Sequence, residues 1–218
     1  ELGIKAVLIT LENADQSKLI RTLREIDSDP NYHGIIVQRP MPGNIDRAAV
    51  VNAISPEKDI DGFRSDSKFE VPVWLAVKRI LSESGIMNYE SWKKQKFVVI
   101  GKGETAGGPI ARGLKKLEVE PQIIDSKTQN PEEILKSADV IISCVGESGV
   151  VRSENLKKGV ILIGVGTHGE DLGLRGDYSE QEIENVAGAY TPTPGGVGPV
   201  NLSYLFSNLV KAVTIQNP

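Results

Sequence analysis

A chain of 218 residues and 23.6 kDa has room for one large domain or two small ones. Its 39% hydrophobic and 25% charged residues, with no long apolar run, argue against disorder and against a bilayer span. Twenty-nine acidic residues against 25 basic ones leave a net charge of -4, which gives no electrostatic footprint for nucleic acid.

The single cysteine, Cys144, lies in the apolar run 139–145 and has no partner for an internal disulfide, which fits a reducing cytoplasm. The chain opens Glu1-Leu-Gly-Ile4 with neither an initiator Met nor a basic-then-apolar leader. That opening reads as a cytoplasmic domain whose upstream sequence has been removed.

Residues 5–11 are rich in β-branched and apolar side chains and predict a strand. Leu19, Ile20, Leu23 and Ile26 then recur at helical spacing, so a helix is expected over 15–26. Residues 34–37 predict a second buried strand, and Gln38-Arg-Pro-Met-Pro-Gly43 a loop, since neither proline can donate within a ladder. A short helix is expected over 46–54, a polar loop over 56–67 and a long helix over 73–84.

The second half alternates more clearly: strand 96–100, glycine-rich turn 101–108, helix 109–117, strand 119–124. Asn130-Pro131 predicts an N-cap with proline at the first helical position, opening a helix to 137. Strands follow at 140–143 and 160–164, and Ser179-Glu-Gln-Glu182 has capping-box spacing. A terminal helix is expected over 201–215, with Leu202, Leu205, Leu209 and Val213 on one side.

This alternation predicts an α/β protein with a parallel sheet in each of two lobes. Residues 1–70 with the helix at 200–218 make the first lobe, and residues 71–199 the second, which has the βαβ order of a nucleotide-binding sheet.

Gly101-Lys-Gly-Glu-Thr-Ala-Gly107 sits between a strand and a helix, where missing side chains let backbone N–H groups approach a pyrophosphate. Asp125 ends the next strand, where a carboxylate accepts from ribose hydroxyls and repels a 2′-phosphate, which favours NAD. Lys102, Ser126, Lys127 and Thr128 can together hold a phosphate, which keeps NADP open. Asp59 and Asp61 project to one side of an extended segment, as a pair for binding an amine-rich ring or moving a proton, or as solvated loop charge. Gln38 ends a strand, where open α/β sheets place ligand contacts, and equally suits a loop amide that caps backbone. Thr191-Pro-Thr-Pro-Gly-Gly-Val-Gly-Pro199 is dense in fixed and permissive φ values and makes a shaped loop. His33 and His168 are too few and scattered for a metal site, so no metal is expected.

Three of these segments, Gly34-Ile-Ile-Val-Gln-Arg-Pro-Met-Pro42, Pro56-Glu-Lys-Asp-Ile-Asp-Gly-Phe63 and Thr191 to Pro199, together with Gly107-Gly-Pro109 and Ser126-Lys-Thr128, resemble the methylenetetrahydrofolate dehydrogenase/cyclohydrolase family over essentially the whole chain. The resemblance implies that residues 1–70 with 200–218 are a truncated N-terminal α/β catalytic lobe and residues 71–199 a Rossmann-type dinucleotide-binding lobe, meeting at a cleft, usually in a homodimer. It implies oxidation of 5,10-methylenetetrahydrofolate with NAD or NADP, then hydrolysis of the methenyl product to 10-formyltetrahydrofolate. It implies catalytic roles for Gln38 and Asp61, with Asp61 holding the pterin ring. Gly195, Gly196, Val197 and Pro199 then line the folate end. The cofactor side takes Gly101, Lys102, Gly103, Gly107, Asp125, Ser126, Lys127, Gly146 and Thr193. The resemblance further implies that Asp61 and the bend at 195–199 face one crevice.

The chain departs from the family pattern in places. The family's Tyr and catalytic Lys fall before Glu1, residues 64–75 replace a longer substrate loop, and Gly103 stands where the family has Ser. Two other readings share these features: a non-catalytic dinucleotide- or folate-binding module, and a two-lobed dehydrogenase of the shikimate type.

Overall fold

The structure is a computed structural model that describes residues 3–12, 15–84, 89–170 and 173–217; the opening pair Glu1-Leu2 lies outside them. The chain divides into two compact units, one of Glu1–Phe69 with Asn208–Pro218, the other of Glu70–Ser207.

In the first unit, helix α1 (Gln16–Ser28) starts where Asp15 accepts from the Lys18 amide, and α2 (Arg47–Asn52) where Asp46 accepts from the Ala48 and Ala49 amides. These caps satisfy amides that have no partner within the helix. The Gln16 side chain joins the two helix starts by accepting from the Asp46 amide at 2.8 Å. Leu23 of α1 packs with Ile35, Met41, Ile45, Val50 and Ile54 into one small core.

The parallel sheet expected here does not form among the described residues. Residues 5–11 belong to no strand among the described residues, with Leu8 91% exposed, and the segment 34–37 makes a single parallel bridge, Ile35 to Asp59. Strand propensity without a neighbouring ladder leaves the backbone groups to solvent and forms no strand.

The second unit begins with α3 (Pro72–Glu83), led by a proline at the first turn, and α4 (Tyr89–Trp92). Then follow β1 (Phe97–Ile100), α5 (Gly107–Lys116), β2 (Gln122–Ile124), α6 (Pro131–Ser137), β3 (Val140–Ser143) and β4 (Ile161–Gly164). β5 (Thr167–Glu170) and β6 (Gly173–Gly176) form an antiparallel hairpin of their own, followed by α7 (Glu180–Ile183) and β7 (Ala189–Tyr190). Helix α8 (Val197–Gln216) closes the chain and carries the boundary between the units, at Ser207 and Asn208.

The main sheet runs β2-β1-β3-β4-β7, all parallel. Successive side chains alternate across it: Phe97 and Val99 pack with Trp74, Ile110 and Leu114 on one face, while Val98 and Ile100 pack with Leu135 and Ile183 on the other. A Cβ on Gly113 of α5 would fall 2.2 Å from the Trp74 ring, so glycine there lets the indole of α3 lie against α5.

Four local expectations differ. Asn130 adopts a left-handed conformation (φ 50°) with no side-chain cap, so Pro131 alone marks that helix start. Ser179 makes no side-chain cap either, and the Glu182 carboxylate, which a capping box would aim at the Ser179 amide, accepts instead from the Ser153 amide at 3.0 Å. The strand expected from 119 is confined to Gln122–Ile124. On α8 the buried positions in the last stretch are Asn208 and Ala212, while Leu202 and Val213 are exposed. The buried Asn208 donates to the Ile60 carbonyl at 2.9 Å, and Gln216 donates to the His33 and Glu57 carbonyls. Polar anchoring therefore orients this end of the helix, against the simple apolar pattern. Among the described residues no helix is long and apolar enough to cross a membrane.

Candidate functional site

In the first unit, the motif 58–63 separates groups used for folding from one left for chemistry. Lys58 is buried and its ammonium donates to the Asp27 and Asp29 carbonyls at 2.7 and 2.8 Å, at the C-terminal end of α1 where a cation is favoured. Asp59, also buried, accepts from the Arg64 amide at 2.9 Å and the Phe63 amide at 3.3 Å. Burial raises its pKa, and these hydrogen bonds oppose the rise.

Asp61 differs. Its carboxylate gains no hydrogen bond among the described residues, and its pKa is raised to about 6, by burial first and then by the charge on Asp59, with Arg39 opposing. The Arg39 guanidinium lies over the Phe63 ring, 4.0 Å from its centroid. Arg39, Asp59, Asp61 and Phe63 line one small cavity of ≈ 10 Å³, room for a single water. A half-buried carboxylate with no hydrogen bond from the described residues is suited to accept a pair of N–H groups from a ligand. Gln38 does not join it: the side chain is exposed and its amide donates to the Arg39 carbonyl at 3.1 Å. That is the capping role a loop amide can take.

In the second unit the sheet order reverses direction between β1 and β3, and ligands of open α/β sheets bind beyond the carboxyl ends of the strands at such a point. The loop after β1 is the glycine turn. A Cβ on Gly107 would sit 2.0 Å from the Gly101 carbonyl oxygen, so only glycine lets the start of α5 come this close to the turn. Gly101 itself has φ +86°, while Gly103 faces open space. A backbone cradle at a helix N-terminus, with a cleared position beside it, fits a pyrophosphate.

Asp125, just past β2, is tied down on three sides. The Lys102 ammonium lies 2.6 Å from it, the Lys127 amide donates at 2.9 Å and the Thr128 hydroxyl at 3.3 Å. The Lys102 hydrogen bond is the main cause that holds its pKa down at about 2. Ser126 occupies the same turn, whose Thr128 amide donates back to the Asp125 carbonyl.

Gly146 lies in the loop beyond β3, with φ +78°. Thr193, Gly195, Gly196, Val197 and Pro199 line a cavity of ≈ 360 Å³ with Gly164 and Val165 at the carboxyl end of β4. The Thr193 amide donates to Glu180 at 2.8 Å, and the buried Tyr178 hydroxyl donates to the Thr191 carbonyl at 2.6 Å. Thr191 in turn accepts from the Gly164 amide through its hydroxyl at 2.8 Å, which fixes the bend against β4. Asp61 belongs to the first unit and the bend at 195–199 to the second.

Three contributors escaped the sequence reading. Leu174 and Thr167, from the hairpin β5-β6, line the same cavity, and Asp177 braces the loop at Gly146. The hairpin's signal is weak, because Thr-His-Gly-Glu and Gly-Leu-Arg-Gly lack β-branched alternation. Among the described residues no cluster of three or more His, Cys, Asp or Glu is placed to hold a metal.

The profile of "Tetrahydrofolate dehydrogenase/cyclohydrolase, NAD(P)-binding domain" matches residues 75–217, and that of the catalytic domain of the same name matches residues 1–61. A bifunctional protein FolD of Methanospirillum hungatei is 36% identical over 214 residues, covering 95% of this chain and 77% of the relative. FolD 4, chloroplastic, of Arabidopsis thaliana is 36% identical over 99% of this chain, which spans 64% of that relative's length. The solved methylenetetrahydrofolate dehydrogenase-cyclohydrolase of Trypanosoma brucei, in complex with NADP and an inhibitor, superposes with a TM-score of 0.82 at 29% identity, over 93% of this chain and 74% of that one. The chain therefore belongs to the tetrahydrofolate dehydrogenase/cyclohydrolase family, and its second unit carries the family's NAD(P)-binding domain.

Proposed function

We propose that the chain oxidises 5,10-methylenetetrahydrofolate to 5,10-methenyltetrahydrofolate with NAD(P) and takes part in hydrolysis of that product to 10-formyltetrahydrofolate. The observation that carries this reading is the cavity at the carboxyl end of β4, lined by the bend at 195–199. A wall of glycine and proline offers a flat, apolar recess with little to reorganise, which suits a nicotinamide and the carbon it oxidises. Bound NAD(P) accepts the hydride.

The chain's own residues do the rest. Asp61 accepts from the ring N–H and exocyclic amine of the pterin. Gly101, Gly103 and Gly107 admit the pyrophosphate to the start of α5, and Gly146 and Thr193 border the nicotinamide side. Lys102, Ser126 and Lys127 surround the adenosine ribose with Asp125, so this group sets the choice between NAD and NADP. Gly195, Gly196, Val197 and Pro199 hold the folate end. Gln38, exposed at its loop, is assigned to the water-adding half of the reaction.

The same reading takes residues 1–70 with 200–218 as the folate-binding lobe and 71–199 as the cofactor lobe, in a cytoplasmic homodimer. The lone thiol of Cys144 supports a reducing compartment, and sedimentation checks the dimer. Rapid mixing of the protein with 5,10-methylenetetrahydrofolate and either cofactor tests the main claim. Appearance of the methenyl absorbance supports it, its decay reports hydrolysis, and no absorbance with either cofactor overturns it.

A further inference from the structure

Four donors converge on Asp177, a fully buried carboxylate between β6 and α7. The Ser143 hydroxyl at 2.5 Å and the Val145 amide at 3.0 Å reach one oxygen; the Gly146 amide at 2.6 Å and the Glu147 amide at 3.1 Å reach the other. Three successive backbone N–H groups aimed at one point form a nest of the kind that binds anions. The chain fills this one with its own side chain.

The nest is built closely. Gly146 needs its left-handed φ of +78° to turn its amide inward, and a Cβ there would meet the Thr167 carbonyl oxygen at 3.0 Å. A Cβ on Gly166 would lie 2.4 Å from the Asp177 carboxylate. The Val165 and Gly166 amides both donate to the Ser143 carbonyl, so the end of β4 is tied to the same point.

The braced loop follows β3, beside the glycine turn. The Cys144 amide donates to the Ile100 carbonyl at 2.9 Å, and a Cβ on Gly101 would sit 3.0 Å from the Cys144 oxygen and 3.5 Å from the Val145 side chain. With its N–H committed inward, Val145 presents its isopropyl group outward at 40% exposure, next to the turn. An exposed apolar side chain at this point is a platform for a flat ring.

We infer that Asp177 is a positioning residue for the dinucleotide: it locks residues 145–147 so that Val145 stands beside the glycine turn, and by filling the nest it directs the pyrophosphate to residues 101–107. This rests on the NAD(P)-binding reading of the second unit.

The test measures NADP binding by calorimetry, together with hydrogen exchange at the amides of residues 145–147, on the full chain and on Asp177→Asn and Ser143→Ala. Asp177→Asn places an NH2 against backbone donors, so those amides should exchange faster and cofactor affinity should fall about tenfold or more. Ser143→Ala removes one of four donors and should lower it by about two- to fivefold, with folate affinity unchanged in both. If Asp177→Asn does not fold, Ser143→Ala decides. Unaltered cofactor affinity in a folded variant overturns the positioning role alone. A parent chain that binds neither NADP nor NAD overturns the cofactor reading and this inference with it.

Discussion

The ammonium of Lys102 and the carboxylate of Asp125 form a 2.6 Å ion pair that joins the glycine turn to the end of β2. The two groups expected to pull cofactor choice in opposite directions thus occupy one another. Freed from Asp125, Lys102 becomes available to a 2′-phosphate. Asp125→Ser is expected to raise kcat/KM for NADP relative to NAD by about tenfold or more. Steady-state rates with both cofactors check this, and an unaltered ratio removes the pair from cofactor selection.

Asp61 carries a cost when it ionises. Its folded pKa of about 6 exceeds the ordinary value of 3.8, so the folded state holds its proton more tightly than the unfolded chain. The full stability exists below pH 4 and is lost as the pH rises toward 6. A shift of this size corresponds to about 3 kcal/mol as an upper figure. Asp61→Asn should therefore be more stable than the parent by about 1–3 kcal/mol at pH 7.5 and equal to it below pH 4, by urea unfolding. The same variant should lose folate binding, and in the parent that binding should weaken as the pH falls through 6.

Two glycines of one turn make opposite demands. A Cβ at Gly107 meets backbone that cannot yield, whereas at Gly103 it meets nothing within 4 Å. Gly107→Ala should lower both the melting temperature and cofactor affinity. Gly103→Ala should leave the melting temperature within about 1–2 °C while weakening NADP binding, because the cleared space belongs to the ligand. Calorimetry and thermal unfolding separate the two, and full-strength binding by Gly103→Ala excludes that residue from the cofactor site.

Tyr178 ties the bend to the sheet through one buried hydroxyl. Tyr178→Phe leaves the Thr191 carbonyl without that donor and should cost about 1–2 kcal/mol. If the bond also shapes the cavity, KM for folate should rise more than KM for the cofactor. Equal changes in both limit Tyr178 to a stabilising role.

The parallel sheet of the second unit was legible because Phe97 to Ile100, Val140 to Ser143 and Ile161 to Gly164 are short apolar runs punctuated by glycine turns. The first unit was less so. Residues 5–11 carry strand propensity, but pairing is a property of neighbours, and Ile35 finds only Asp59. The glycine turn and the bend at 195–199 could be read as shaped backbone from composition alone. The roles of Lys58 and Asp177 could not, since each depends on backbone groups brought in from 29 to 32 residues away.

Cys144 adds a practical consequence. Burial, and then the Asp177 charge, push its thiol well above the ordinary range, so at neutral pH almost no nucleophilic thiolate is present. As the sole sulfhydryl of the chain it can serve as a clock: alkylation should be slow in the native protein and should proceed only as fast as the strand ends around it breathe open. Dinucleotide that closes those strand ends should slow the clock further, giving an occupancy signal that needs no turnover.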